Sequence, residues 1–255
     1  MYSFIVLLFG LIFGSFLNVC IYRIPKGESI AFPPSHCTNC NYELKPLDLF
    51  PVLSYIFLKG KCRSCGQRIS MRYPIIELIT GILFLLTYEK FGFTFSFYKY
   101  IVLICFLIVI GMIDYDTTDV YFNTTLPGIL TGAAFMIAAI FLKEVTLMQS
   151  LMYILGALLG GGVIALIIIT THGMGWGDVE ICILGGIFLG VKLTAVMMLL
   201  SFIIGAIHGI TLLALKKKTR KDYIPFGPSI AVACILTIFL GNNLIMWYTS
   251  LFMAR

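Results

Sequence analysis

Charge is what this chain has least of. Only 12% of its 255 residues are charged while 60% are hydrophobic, against roughly 25% charged and 45–50% apolar in ordinary soluble domains. That imbalance excludes a conventional soluble globular protein. No basic residues precede the first apolar run; Arg23 and Lys26 follow it. This order argues against a cleaved secretory signal and for an uncleaved first span. No low-complexity segment and no internal repeat is present. The net charge of +6 implies no nucleic-acid partner, because topogenic lysines and arginines account for most of it. Attraction to anionic membrane lipids follows from the same residues.

What is there is a series of apolar runs of about bilayer length, roughly 17–25 residues. They lie near residues 2–22, 73–90, 98–115, 124–142, 149–171, 179–191, 193–215 and 225–248. The pattern predicts an all-α polytopic membrane helix bundle of about eight spans. The sixth run is short, which fits a tilted, a partly re-entrant or a neighbour-shielded helix. The expected organisation is a first membrane span at 1–22, a small polar domain at 23–72, and a helix bundle at 73–255.

Orientation follows from basic residues in short loops. The segment 23–72 carries Arg23, Lys26, Lys45, Lys59, Lys61, Arg63, Arg68 and Arg72, and 216–221 reads KKKTRK. The connections near 89–99, 143–148 and 192 hold only Lys90, Lys99, Lys143 and Lys192. Placing the two basic segments in the cytoplasm puts the N-terminus outside and sends the third and fifth spans inward.

The polar segment holds Cys37-Thr-Asn-Cys40 and Cys62-Arg-Ser-Cys65. Two C-x₂-C units at this separation suit one tetrahedral Cys₄ zinc site. A cytoplasmic location disfavours disulfides and favours metal; a redox pair or reduced thiols is the competing reading. Four thiolates leave no open position for water, so the expected role of the zinc is structural. His36 is either a substitute ligand or an exposed loop residue. Cys20, Cys105, Cys182 and Cys234 stand singly in or beside apolar runs and read as small core residues.

Two aspartates close the list of chemical candidates. Asp114 ends the third apolar run, in Ile113-Asp114-Tyr115-Asp116-Thr117-Thr118-Asp119. Asp178 follows the fifth, in Gly173-Met174-Gly175-Trp176-Gly177-Asp178. Acids beside membrane spans suggest function, and the charge pattern brings both to the cytoplasmic face. Two carboxylates sharing one water there have the chemistry of an aspartic protease. Asp116 and Asp119 compete with Asp114: Asp116 faces elsewhere on a continued helix, and solvation or capping accounts for Asp119. An N-cap of the sixth span is the structural alternative for Asp178, and it is compatible with catalysis.

The chain resembles the type IV prepilin peptidases, bifunctional leader peptidases and N-methyltransferases of bacterial plasma membranes. The likeness is carried by GSFLNVCIYRIP at 14–25, the four loop cysteines, the stretch from Lys45 to Gly81, IDYDTT at 113–118, TTLPG at 124–128 and GMGWGDVEICILGGIFLG at 173–190. The G-x-G-D unit at 175–178 is also similar to that of presenilin-type proteases. The resemblance implies that Asp114 and Asp178 are the catalytic pair. It implies cleavage of a basic leader from prepilins or pseudopilins after a glycine, at the cytoplasmic face of the inner membrane. It further implies methylation of the new N-terminal residue from S-adenosylmethionine.

Two departures stand out. Val120-Tyr121-Phe122 replaces the family's Leu/Ile-Pro-Asp, which predicts a different loop shape. Glu180 replaces a lysine, so an acid there either raises the pKa of a neighbouring carboxylate or engages the basic leader. No Rossmann-type glycine fingerprint is present, so a soluble-type methyl-donor fold is absent. By resemblance, Gly14, Asn18, Arg72 and Glu77 are candidates for methyl-donor binding. Glu77 reads equally as a buried acid paired with Arg72 or Arg68. His172 is either a neighbour of the active site or a solvated helix end, and His208 reads as an interhelical hydrogen-bonding residue. Tyr223-Ile224-Pro225-Phe226-Gly227-Pro228 opens the last span, near the active site by resemblance. The alternative function is a zinc-bearing membrane transporter or assembly scaffold, which predicts carboxylates near the bilayer midplane and internal repeats. Oligomeric state is left open.

Overall fold

The structure is a computed structural model that describes residues 1–216 and 224–253. Most of the basic run at 216–221, and Tyr223, therefore lie outside the described residues. Nine α-helices are described: α1 (Tyr2–Arg23), α2 (Leu53–Phe57), α3 (Arg72–Phe91), α4 (Phe95–Thr117), α5 (Phe122–Phe141), α6 (Leu147–Thr171), α7 (Trp176–Leu189), α8 (Val191–Ala214) and α9 (Gly227–Met253). Among the described residues extended structure is limited to two isolated bridges, His36 with Glu43 and Lys61 with Arg68.

Each of the eight expected spans coincides with a helix, and six are both long and apolar enough to cross a membrane. The protein is a multi-pass membrane protein. The two helices that do not qualify are α3 and α7. Helix α3 carries Arg72, Glu77, Glu89 and Lys90, which dilute its apolar character. Helix α7 has 14 residues, about 21 Å at 1.5 Å per residue, short of the roughly 30 Å hydrocarbon core.

The chain divides into two compact units, Met1–Phe97 and Tyr98–Arg255. In the first, α1 and α3 run antiparallel. Ser3 Oγ donates to Glu89 Oε1 at 2.7 Å and Asn18 Nδ2 to the Tyr73 carbonyl at 3.1 Å, so the N-terminus of one helix lies beside the C-terminus of the other. Gly10 and Gly14 face this seam, where a Cβ at Gly14 would lie 2.6 Å from Glu77 Cα. This small-xxx-small spacing lets two helix backbones approach closely, the packing that replaces hydrophobic drive inside a bilayer.

In the second unit the short helix α7 is central. Its Ile181, Cys182, Leu184 and Phe188 are buried. Helix α6 runs antiparallel to it: a Cβ at Gly156 would lie 2.6 Å from the Gly186 carbonyl oxygen, and one at Gly160 would lie 2.7 Å from that of Cys182. Helices α5 and α9 run parallel to it, since Gly128 meets Leu184 and Gly132 meets Phe188, while Gly227 meets Ile181 and Gly185 meets Cys234. Helix α4 is antiparallel to α9, with Gly111 against Ala231 and Asp114 against Gly227. The shielded-by-neighbours alternative for the sixth run is thus the one observed.

The α6–α7 contact is tight enough to test. Gly160→Leu should cost about 1–3 kcal/mol by overpacking and lower the melting temperature in detergent, followed by circular dichroism. Gly162→Leu should leave it within error, because nothing lies within 4 Å of a Cβ at that position.

Candidate active site and metal centre

Helix packing in the second unit brings four helix ends to one side: the C-terminus of α4 and the N-termini of α5, α7 and α9. Asp114 sits in the last turn of α4 and Asp178 in the first turn of α7. Both are 2% exposed, and the Asp114 carboxyl lies within electrostatic reach of Asp178. Asp114 Oδ2 accepts the Gly227 backbone N–H at 2.8 Å, at the start of α9. A Cβ at Gly227 would collide with that oxygen and lie 3.0 Å from Ile181 Cδ1. Glycine is therefore the residue that lets α9 close over the carboxylate. Asp116 and Asp119 are exposed, so of the three acids at the end of α4 only Asp114 enters this buried site.

Asp178 is the third residue of α7 rather than its N-cap. Gly175 holds the cap position, and Asp178 Oδ2 accepts the Gly175 N–H at 3.3 Å. This reach back starts the helix three residues before the apolar run expected at 179. Val120 packs onto Gly177, where a side chain would not fit. The departure at 120–122 thus forms the wall beside the G-x-G-D unit. Glu180 is two positions on from Asp178 and faces another helix. Thr125 Oγ1, fully buried on α5, donates to Glu180 Oε2. In this structure that acid ties α5 to α7. His172 is an exposed residue in left-handed conformation that ends α6, with φ +52°.

The four loop cysteines converge in the first unit. Each knuckle makes the same turn: the Cys37 N–H donates to the Tyr42 carbonyl and Asn41 N–H to Cys37, and the Cys62 N–H donates to the Gln67 carbonyl and Gly66 N–H to Cys62, all at 2.8–3.0 Å. Asn41 and Gly66 accept positive φ, +54° and +71°, as residues suited to left-handed backbone. All four sulfur atoms lie within 4.8 Å of one another, with Cys37–Cys65 at 3.9 Å and Cys40–Cys62 at 4.0 Å. A tetrahedron with zinc–sulfur arms of about 2.3 Å has edges of about 3.8 Å, so the donor set fits. Backbone N–H groups of Asn39 and Cys40 lower the Cys37 thiol pKa. The Gln67 N–H and the Asn39 amide hold the Cys65 thiol at about 6. The Tyr42 N–H acts the other way, but desolvation and the neighbouring thiols push Cys40 up to about 11. Cys37 and Cys65 are thus poised as thiolates, the form that binds metal.

Buried Asp48 fastens the two knuckles together. Its Oδ1 takes the Arg63 Nε–H at 2.7 Å, and its Oδ2 accepts from Lys45 N at 3.2 Å and Tyr42 OH at 3.5 Å. Burial opposes ionisation, but Arg63 and the Lys45 N–H outweigh it and hold the Asp48 carboxyl below its ordinary range. Beside the knuckles lies a cavity of about 450 Å³ whose walls include Asn18, Tyr22, Arg23, Arg68, Tyr73 and Glu77. That volume falls in the range of small-molecule sites, about 300–1,000 Å³. Glu77 Oε2 accepts the Val52 N–H at 2.7 Å.

The profile of the bacterial peptidase A24 N-terminal domain matches residues 8–91, and that of the type IV leader peptidase family matches residues 101–210. A prepilin leader peptidase/N-methyltransferase of Bacillus subtilis is 35% identical over 249 residues, covering 97% of this chain and 98% of that protein. The chain belongs to the type IV leader peptidase family. Other relatives carrying the same description include those of Neisseria gonorrhoeae, 32% identical with 92% and 88% covered, and Aeromonas salmonicida, 30% identical with 98% and 94% covered. No solved structure matches the chain.

In this leader peptidase family member, the structure gathers Asp114 with Asp178, the four cysteines with one another, and Asn18 with Glu77 on one cavity. Gly14 packs in the α1–α3 seam, and neither it nor Arg72 is among the cavity-lining residues. Sequence reasoning missed Asp48, whose partner lies 15 positions away, and the Gly227 N–H, whose acceptor lies 113 positions away. Only the proline and glycine at 225–228 hinted at the latter.

Cys62→Ser should reduce zinc from about one per chain to near zero, read by mass spectrometry of the purified protein, because a three-sulfur remnant of a Cys₄ site binds far more weakly. Cys234→Ser, in the second unit's core, should leave zinc content unchanged.

Proposed function

We propose that this protein is a membrane aspartic endopeptidase that removes the basic leader from type IV prepilins or pseudopilins after a glycine. Cleavage takes place at the cytoplasmic face of the bacterial plasma membrane, with methylation of the new N-terminus as the second activity. One observation carries the peptidase reading: two buried aspartates from different helices lie within electrostatic reach of one another at a convergence of helix ends, one of them on the N–H of Gly227.

Hydrolysis at such a pair is balanced by the two carboxyls. The ionised one takes a proton from water as the water oxygen bonds to the scissile carbonyl carbon. The protonated one gives its proton to the carbonyl oxygen. Collapse of the tetrahedral diol breaks the C–N bond: the carboxyl that took water's proton gives it to the leaving amine. The other carboxylate takes a proton from a diol hydroxyl as the C=O of the new acid re-forms, which returns the pair to its starting state. Closely spaced carboxyls do not both ionise readily, so the two titrate as a unit. Asp178 and Asp114 supply these groups, while Gly227 positions Asp114 and Glu180 fixes α5 against α7.

The basic residues of loop 23–72 support a cytoplasmic zinc domain with the N-terminus outside. In that orientation α4 runs inward and α7 outward, so both aspartates meet cytoplasmic water. The zinc is structural and joins the two knuckles. In the first unit, Asn18, Arg23 and Glu77 offer polar groups and Tyr22 and Tyr73 offer aromatic faces for S-adenosylmethionine, which supplies an electrophilic methyl group when bound. The transporter or scaffold reading requires midplane carboxylates and repeats. The aspartates here lie in terminal turns.

The test is the intact mass of a prepilin-like substrate after incubation with the purified protein and S-adenosylmethionine. Wild type should remove the leader, with added methyl mass reporting the second activity; Asp114→Asn and Asp178→Asn should do neither cleavage nor the methylation that depends on it. Uncut substrate across several prepilins would sink the peptidase reading. Gly227→Ala should lower turnover roughly 100-fold, since small misplacements at a reacting centre cost on that order, while the melting temperature changes far less.

A further inference from the structure

The polar domain carries an apolar surface that faces the wrong way for a water-soluble loop. Between residues 47 and 57, Leu47 is 77% exposed, Phe50 53%, Leu53 46%, Ile56 61% and Phe57 80%. Scattered surface hydrophobics need no explanation, but a contiguous cluster does. Within α2, Leu53, Ile56 and Phe57 share one face at i, i+3, i+4 spacing. The opposite side carries Ser54 and Tyr55 into the cavity wall, and Tyr55 OH donates inward to the Ile69 carbonyl at 3.2 Å. Helix α2 is thus polar toward the cavity and apolar outward, the reverse of a soluble amphipathic helix.

Its height along the membrane helices explains the reversal. The Val52 N–H donates to Glu77 Oε2, and Glu77 lies five residues inside α3, about 7.5 Å along the axis from Arg72. The segment is thus held beside the helix rather than beyond its end. Next to Glu77, Ile75, Leu78 and Ile79 are exposed in the same way, as on a lipid-facing helix. Tyr22 and Tyr73, 39% and 38% exposed, stand at this end of α1 and α3, where interfacial aromatics belong.

Charge agrees with that placement. Exposed Lys45, Lys59 and Lys61 flank the segment, and its one acid, Asp48, is buried against Arg63. Three exposed cations, with no exposed acid between Lys45 and Lys61, complement anionic lipid headgroups.

We propose that residues 47–57 are an interfacial anchor, with Phe50, Leu53, Ile56 and Phe57 seated at the headgroup–acyl boundary of an anionic leaflet and the flanking lysines on its phosphates. The anchor places one wall of the Asn18–Glu77 cavity at the membrane surface. The inference does not depend on the peptidase reading.

The test uses the full chain in lipid nanodiscs. With its two tryptophans replaced, Trp176→Phe and Trp247→Phe, single tryptophans are introduced as Phe57→Trp, Leu53→Trp and, in the second knuckle, Ser64→Trp. Acyl-brominated lipid should quench the emission at positions 57 and 53 by about twofold or more, as expected for a residue at that depth, and leave position 64 unaffected. Lys45→Gln, Lys59→Gln and Lys61→Gln together should reduce the quenching in phosphatidylglycerol nanodiscs to the level seen in phosphatidylcholine. Zinc content checks that each variant is folded, and the two reporter positions guard against failure of one. Emission at 57 and 53 that is solvent-like and unquenched would overturn the proposal. So would a blue shift that needs a second copy of the chain or an added prepilin-like peptide instead of lipid, since either would identify a different occupant.

Discussion

The close backbone approach around α7 is the constraint from which the rest of the second unit follows. A 14-residue helix cannot present its ends to both membrane surfaces, so it needs neighbours that cover it. Glycines at 128, 132, 156 and 160 let α5 and α6 come near enough to do so. Because α5 and α9 run parallel to α7 and α4 runs antiparallel to α9, the same packing collects helix ends at one place. Backbone N–H groups left free at helix starts become donors there. Gly227 offers one to Asp114, and Gly175 offers one to Asp178. Burying carboxyls is costly without such partners, so the packing and the acid pair support one another.

The first unit solves a different problem. A domain of this size between two helices has little core of its own, and its cohesion comes from four converging sulfurs and one buried acid. Asp48 receives groups from both knuckles, which couples them even before metal is considered. Glu77 then ties the domain to α3 through Val52. A buried carboxylate on α3 that accepts from loop backbone holds the domain against that helix. On α2 the outward residues Leu53, Ile56 and Phe57 are apolar while Ser54 and Tyr55 turn to the cavity.

Much of this was legible in the residues alone. Spans are readable because bilayer thickness demands long apolar runs, so all eight positions could be marked within a few residues. The C-x₂-C pairs were readable because ligand spacing is local, and the aspartates because acids beside apolar runs are costly. Glu180 was legible as a departure from a family pattern but not in its role. Its partner Thr125 is 55 positions distant, and neither loop charge nor hydropathy contains that pairing.

The sequence by itself determined the membrane class, the two cysteine knuckles and the two acids, because each depends on composition or on neighbours within a few residues. Only the tertiary structure decided which of Asp114, Asp116 and Asp119 is buried, that Gly227 caps it, that α7 is shielded rather than exposed, and that Asp48 joins the knuckles. Those outcomes depend on which helix faces lie together. Contact between residues more than a hundred positions apart is set by the packing of whole helices, which no local pattern encodes.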